Sequence, residues 1–312
     1  MLNTLQRWFY HPKYFRYMFF ILFLLSITIN GIILKKDGSS YILYIFCAIF
    51  LGLGFYNLSP WVIAVLAFMI VVSRFMLIPE PASGAGIFIA YLFTYLLITF
   101  ITVGLMKNLQ KVREDSIEFT RALAKALDSR DAYTMHHSEN VATFSAAIAK
   151  KMNLSNELCE IIHIGGLLHD IGKIGIPEEI LNKPGKLTNE EYNIIKTHPT
   201  IGYDIVKHIS TFKENGIHDI VLYHHERYDG KGYPNGLKGE KIPLLSRIVA
   251  VADAFDAMSS MRVYRKELEL DHILNEIRRN KGTQFDPHIV DVFLSLFETK
   301  NEKRSEVLIR KE

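Results

Sequence analysis

The chain has 312 residues, room for two ordinary domains, and a formal charge of +3 that comes from its first third. Up to Met106 there are six Lys or Arg and two acids, while the remaining 206 residues carry 30 basic and 31 acidic side chains. The near-neutral remainder gives no support to a nucleic-acid polymer as partner, and two unrelated cysteines, Cys47 and Cys159, exclude a disulfide framework.

Four apolar runs come first, at roughly 14–34, 41–56, 61–78 and 85–106. As helices of about 20 residues, the first and last can cross about 30 Å of hydrocarbon. The second is shorter, and Asn57–Pro60 after it reads as a tight turn. Almost 90 residues with so few charges predict a transmembrane region of about four spans rather than a soluble core. With four crossings both ends share one side. Arg7, Lys13 and Arg16 before the first span, with Lys107, Lys111 and Arg113 after the last, put that side in the cytoplasm. Lys35 and Lys36 argue the other way, six against two. The expected location is the inner (cytoplasmic) membrane, with membrane lipid around the spans. Arg74, near the end of its run, is expected to snorkel.

From Leu105 the pattern turns amphipathic. Leu105, Leu109, Val112, Phe119 and Leu123 alternate steps of four and three, with Ser116 at the missing position. That heptad seam fits either a parallel homodimer stalk or one helix packing on its own domain. The rest reads as helices, over 141–152, 158–168, 217–223 and 248–258. Thr188 with Glu191 forms a capping-box pattern, and Asp286-Pro287 and His198-Pro199 mark helix starts. Gly/Pro-rich loops are expected at 177–186 and 229–243. The fold class is therefore all-α: a four-helix transmembrane region followed by an all-helical domain. The divisions fall at 1–106 for the membrane region, 107–118 for a helical linker, 119–298 for the all-helical domain and 299–312 for a charged tail.

Eleven of twelve histidines lie between His136 and His288, which places any metal chemistry in the second part. His169-Asp170 is its centre. Adjacent helical positions point about 100° apart, so the pair can serve neighbouring ions with the carboxylate as a bridge. Lys173, three residues on, shares a face with Asp170 and can meet phosphate oxygens. His137, His198, His224, His225 and Asp253 are further candidate ligands. Histidine and carboxylate donors suit Mn, Fe, Ni or Zn, and the absence of cysteine ligands argues against a structural zinc site. Two ions sharing Asp170 would acidify a water and clamp phosphoryl oxygens, the chemistry of phosphodiester hydrolysis.

HDIGK at 169–173 and HHERYDGKGYP at 224–234 resemble the defining motifs of the HD-GYP phosphodiesterases. The likeness extends through RDAYTMHHSENV at 130–141, HPTIG at 198–202, IPLLSRIVAVADAFDAM at 242–258 and RVYR at 262–265, covering roughly residues 119–295 in the family's order. The resemblance implies that His137, His169, Asp170 and Asp253 hold one divalent ion, Fe or Mn. Asp170 would bridge to a second, held by His198, His224 and His225. Lys173, Arg262 and Arg265 would grip substrate phosphates, and Gly232 and Tyr233 would line the site. The implied reaction is hydrolysis of cyclic di-GMP to pGpG. Members with a third metal carry Glu where Tyr133 stands, so two ions are expected and continuation to GMP is disfavoured. A cyclic di-GMP receptor without turnover, or a hydrolase of another cyclic dinucleotide, are the alternatives; retention of all seven ligands favours catalysis. His136, His163, His208, His218, His272 and His288 are read as structural or exposed.

Overall fold

The computed structural model describes residues 9, 11–34, 40–78, 84–130, 136–259 and 270–297. Among these there are helices and no strand. The chain divides into two units, Met1–Ser116 and Ile117–Glu312. The first holds α1 (Pro12–Thr28), α2 (Ile42–Gly54), α3 (Pro60–Leu77) and the start of α4 (Ala85–Asp128). Both α1 and α3 carry proline in the first turn, where its missing N–H costs nothing, and Ser59 caps α3.

A π turn, Ile29–Ile33, extends α1, so Pro12–Ile33, Pro60–Leu77 and Ala85–Asp128 are long and apolar enough to cross a membrane. The second apolar run does not match them. At 13 residues α2 is about 20 Å long at 1.5 Å per residue, short of the hydrocarbon thickness. It is also the most enclosed, with Tyr44, Cys47, Ala48 and Leu51 fully buried. The other helices turn large apolar side chains outward, Phe20, Leu24, Trp61, Val65 and Phe93 among them, which is compatible with a lipid surround. Arg74 does not simply extend to the surface: its guanidinium lies 3.5 Å from the Tyr91 ring centroid, with Tyr41 and Tyr95 within 6 Å.

The expected linker is no separate element. Helix α4 runs unbroken for 44 residues, and the division between units falls inside it. Leu105, Leu109, Val112, Phe119 and Leu123 are 40–66% exposed along it.

In the second unit α5 (His137–Lys151), α6 (Asn156–Leu168), α7 (Glu178–Leu181), α8 (Asn189–Ile195), α9 (His198–Val206), α10 (Ser210–Asn215), α11 (Ile217–Tyr223), α12 (Leu244–Ser259), α13 (Leu270–Arg279) and α14 (Pro287–Phe297) follow in order. Ser155 caps α6, the Thr188–Glu191 capping box is formed, and the Asp286 carboxylate accepts from the first amides of α14. Val141, Ile148, Ile162, Ile248, Val251, Phe255, Ile277, Ile289 and Phe293 make the core beneath the polar ends of these helices. Helix α7 interrupts the loop expected at 177–186, where Pro177 starts a single turn.

Candidate metal centre

The candidate ligands sit mostly where helices begin or end. His137 opens α5, His198 opens α9, His169 and His224 follow the last residues of α6 and α11, and Asp253 lies within α12. After Asp170 the chain tightens into a 3₁₀ turn, Ile171–Gly175, that carries Lys173. Gly172 lets this turn lie directly on α9: a Cβ there would stand 1.8 Å from the His198 carbonyl oxygen and 2.5 Å from the Gly202 nitrogen.

All seven predicted ligands come together. Asp170, His198, His224 and His225 form one group and His137, His169 and Asp253 another, with the donor atoms of each group within 4.8 Å of one another. Asp170 faces both. Its Oδ1 lies 3.1 Å from His198 Nε2 and 3.9 Å from His224 Nε2, while its Oδ2 lies 3.3 Å from His169 Nε2 and 3.8 Å from His137 Nε2. His137 Nε2 is also 3.3 Å from Asp253 Oδ1.

The far nitrogens decide which atoms face inward. His169 Nδ1 donates to Gly166 O at 2.7 Å, His198 Nδ1 to Ile195 O at 2.8 Å and His224 Nδ1 to Val221 O at 3.0 Å. His137 Nδ1 is 2.7 Å from Asp256 Oδ2, and Asn140 donates to the other oxygen of Asp256. A carbonyl can only accept, so in the neutral rings these bonds assign the proton to Nδ1 and leave Nε2 as a lone pair. His198 Nε2 and His224 Nε2 then confront each other at 3.3 Å as two acceptors. His169 Nε2 and Asp170 Oδ1 are fully enclosed without a well-formed hydrogen bond. Converging lone pairs around one carboxylate fit a divalent cation and fit little else.

The electrostatics separate the two groups. Burial disfavours a charged His137, but hydrogen bonds to Asp253 and Asp256 outweigh it and raise its pKa to about 10. Burial is likewise outweighed at His169, where the Asp170 carboxylate raises the pKa. Asp170 and Asp253 are held below the usual carboxylate range against the effect of burial, Asp170 chiefly by Lys173 and Asp253 chiefly by His137. His225 is pushed down to about 4, first by burial and then by the neighbouring His198, and His224 is lowered in the same way by burial and His225. A ligating imidazole must be neutral. His224 and His225 already are at pH 7.5, whereas His137 must lose a proton. Metal uptake at pH 7.5 is therefore expected to release at least about one proton per chain. On acidification the His137–His169–Asp253 group should lose its ion first. Calorimetric titration with Mn²⁺ in buffers of different ionisation enthalpy measures the protons; a release of zero would refute this assignment.

Lys173 Nζ sits 2.7 Å from Asp170 Oδ2, at the edge of both groups. Tyr233 lies with its ring centroid 4.9 Å from that of His225. Gly232 is required there, because a Cβ would meet the Arg227 nitrogen at 2.3 Å. Buried Glu226 accepts from the Asn235 and Leu237 amides and closes this loop. Tyr133, Arg262 and Arg265 lie outside the described residues, as does the tail 299–312. His218 is structural, its Nε2 donating to the Val206 carbonyl at 2.8 Å.

Sequence reasoning missed Asp256, although it stands three residues after Asp253 and so on the same face of α12. It also missed Asp128, whose carboxylate accepts from both the amide and the hydroxyl of Ser138 and so caps α5 beside His137.

An all-helical domain that gathers two adjoining histidine–carboxylate sets around a shared aspartate is of the metal-dependent phosphohydrolase type. The pattern of the HD domain family matches residues 121–289, more than half of the chain, and the chain belongs to that family. It is 44% identical over 191 residues to the cyclic di-GMP phosphodiesterase response regulator RpfG of Xanthomonas campestris pv. campestris, covering 61% of this chain and 50% of that protein. It is 46% identical over 168 residues to a cyclic di-GMP phosphodiesterase of Thermotoga maritima, covering 54% of this chain and 45% of that one. A 3′3′-cGAMP-specific phosphodiesterase 2 of Vibrio cholerae is 36% identical over 197 residues, covering 63% and 37%. The chain thus spans about half the length, or less, of these relatives.

Proposed function

We propose that the chain is a membrane-anchored HD-GYP phosphodiesterase that hydrolyses the 3′–5′ phosphodiester of cyclic di-GMP to pGpG. The observation that carries this reading is Asp170, with one oxygen turned to each histidine group. His137, His169, Asp170 and Asp253 would hold one divalent ion, and Asp170, His198, His224 and His225 a second, Mn²⁺ or Fe²⁺. Such ions supply Lewis-acid polarisation of phosphoryl oxygens and acidify a water. The chain's own residues do the rest. Lys173, already drawn to the shared carboxylate, offers a cation to a phosphate oxygen. The Nδ1 bonds hold four imidazoles in one orientation, so nothing need reorganise as charge develops. Tyr233, with Arg262 and Arg265, would hold the nucleotide. The relatives named for cyclic di-GMP and for cGAMP support a cyclic dinucleotide as the substrate class.

The full-length protein in detergent, loaded anaerobically with Mn²⁺ or Fe²⁺, should convert cyclic di-GMP to a single linear dinucleotide peak on chromatography. A panel with cyclic GMP-AMP and cyclic di-AMP ranks the substrates. Tight binding with no turnover under either metal would sink the enzyme and leave a receptor.

The three long apolar helices support an inner-membrane anchor. Basic residues flank both α1 and the emerging part of α4, which supports a cytoplasmic catalytic unit. The shielded α2 then serves as the return crossing, its neighbours relieving the mismatch in length. A C-terminal reporter active only outside the cytoplasm would count against this topology. The exposed Leu105–Leu123 seam supports a homodimer, and two copies anchored alike in one membrane must run parallel. Val112→Cys is expected to cross-link between copies in membranes and Glu114→Cys, two positions round the helix, is not; equal cross-linking would refute the seam.

A further inference from the structure

The turn that leads into α9 delivers His198 to the metal centre, and two residues earlier it carries Lys196. Several lysines of this unit meet carboxylates: Lys173 with Asp170, Lys183 with Glu191, Lys207 with Asp204 and Lys281 with Asp291. Lys196 has no carboxylate within salt-bridge reach among the described residues. It is held by rings instead. Its Nζ lies 4.8 Å from the Tyr192 centroid and 6.0 Å from the Tyr233 centroid. Tyr233 in turn stands against the candidate ligand His225 with their planes 31° apart. A row therefore runs outward from the metal centre through Tyr233 and Lys196 to Tyr192, which is 49% exposed.

Each member of that row suits part of a nucleobase. Aromatic faces stack on bases of any kind and discriminate little among them. An ammonium offers only donors, and so favours guanine, whose O6 and N7 are acceptors, over adenine, which sets an amino group beside N7. A cation not committed to a carboxylate keeps its donors for a ligand.

We infer that Tyr192, Lys196 and Tyr233 form a base-reading subsite, in which a guanine of the substrate lies against tyrosine and Lys196 donates to its O6 and N7. The inference rests on the cyclic dinucleotide reading above and deepens it. Contact of the same lysine with the second phosphate would use the same donors, but a phosphate is common to all cyclic dinucleotides and would give no base preference.

The test compares the full-length, metal-loaded protein with Lys196→Met and Lys196→Arg. In Lys196→Met, kcat/KM for cyclic di-GMP is expected to fall about tenfold, mostly through KM, with less than about a threefold change for cyclic di-AMP. Lys196→Arg should keep the guanine preference. Equilibrium binding of phosphorothioate analogues of both dinucleotides should show the same selective loss. An equal loss on both dinucleotides, or no loss on either, overturns the subsite. A wild-type protein that binds the analogues with guanine preference but cleaves no cyclic dinucleotide would sink the enzyme reading and leave the subsite standing. A wild-type protein that binds neither overturns both.

Discussion

Asp170→Asn should lose turnover by at least about a thousandfold, about 4 kcal/mol of barrier. The amide has the carboxylate's shape, so the helices around it need not move, and its oxygen can still accept from Lys173. What it lacks is charge at the one position that faces both histidine groups. The Nε2 atoms of His198 and His224 would again converge with only a weak neutral donor between them. Metal content, measured on the purified full-length protein, should fall below two ions per chain together with the rate. A variant that keeps both ions and more than a tenth of the activity would show that Asp170 is not the bridge.

Gly172→Ala tests the site through packing alone. The added methyl would meet backbone atoms, the His198 carbonyl at 1.8 Å and the Gly202 nitrogen at 2.5 Å, and backbone cannot rotate aside. Helix α9 must move off the 3₁₀ turn, taking His198 with it. Overpacking of this kind costs about 1–3 kcal/mol or more, a fall of several degrees in the thermal midpoint of a unit this size. The ion that Asp170, His198, His224 and His225 would hold should bind at least about tenfold more weakly. Gly175→Ala, in the same turn, is the control: its Cβ would meet only the side chain of Ile201 at 3.0 Å, which can yield. If both variants matched the wild type in midpoint and metal content, the close approach at Gly172 would not matter.

The seven candidate ligands could be picked out from the chain because each stands in a motif with its own spacing, and the structure brings those same seven residues together. The roles of Arg262, Arg265 and Tyr133 stay with the resemblance, since these residues lie outside the described ones. The change in composition after Met106 has no counterpart in the secondary structure. A helix is held by backbone hydrogen bonds that do not register the change from apolar to amphipathic side chains, so α4 continues through it. The acceptors that orient His169, His198 and His224 were illegible for another reason: they are carbonyls, which every residue carries. Lys196 escaped notice because its surroundings depend on how the 229–243 loop folds back over α8, a tertiary fact with no local signature.

Those carbonyls have a bearing on how the centre assembles. Gly166, Ile195 and Val221 each precede their histidine by three residues, so forming the adjoining turn is enough to aim the ring. The orientation of His137 has no such local source. It depends on Asp256, 119 residues further along the chain. The rings of His169, His198 and His224 can thus be oriented while α12 is still undocked, and that of His137 cannot. A chain caught part-way through folding is expected to bind one cation at most, and the His137–His169–Asp253 group to close only as the last helices arrive.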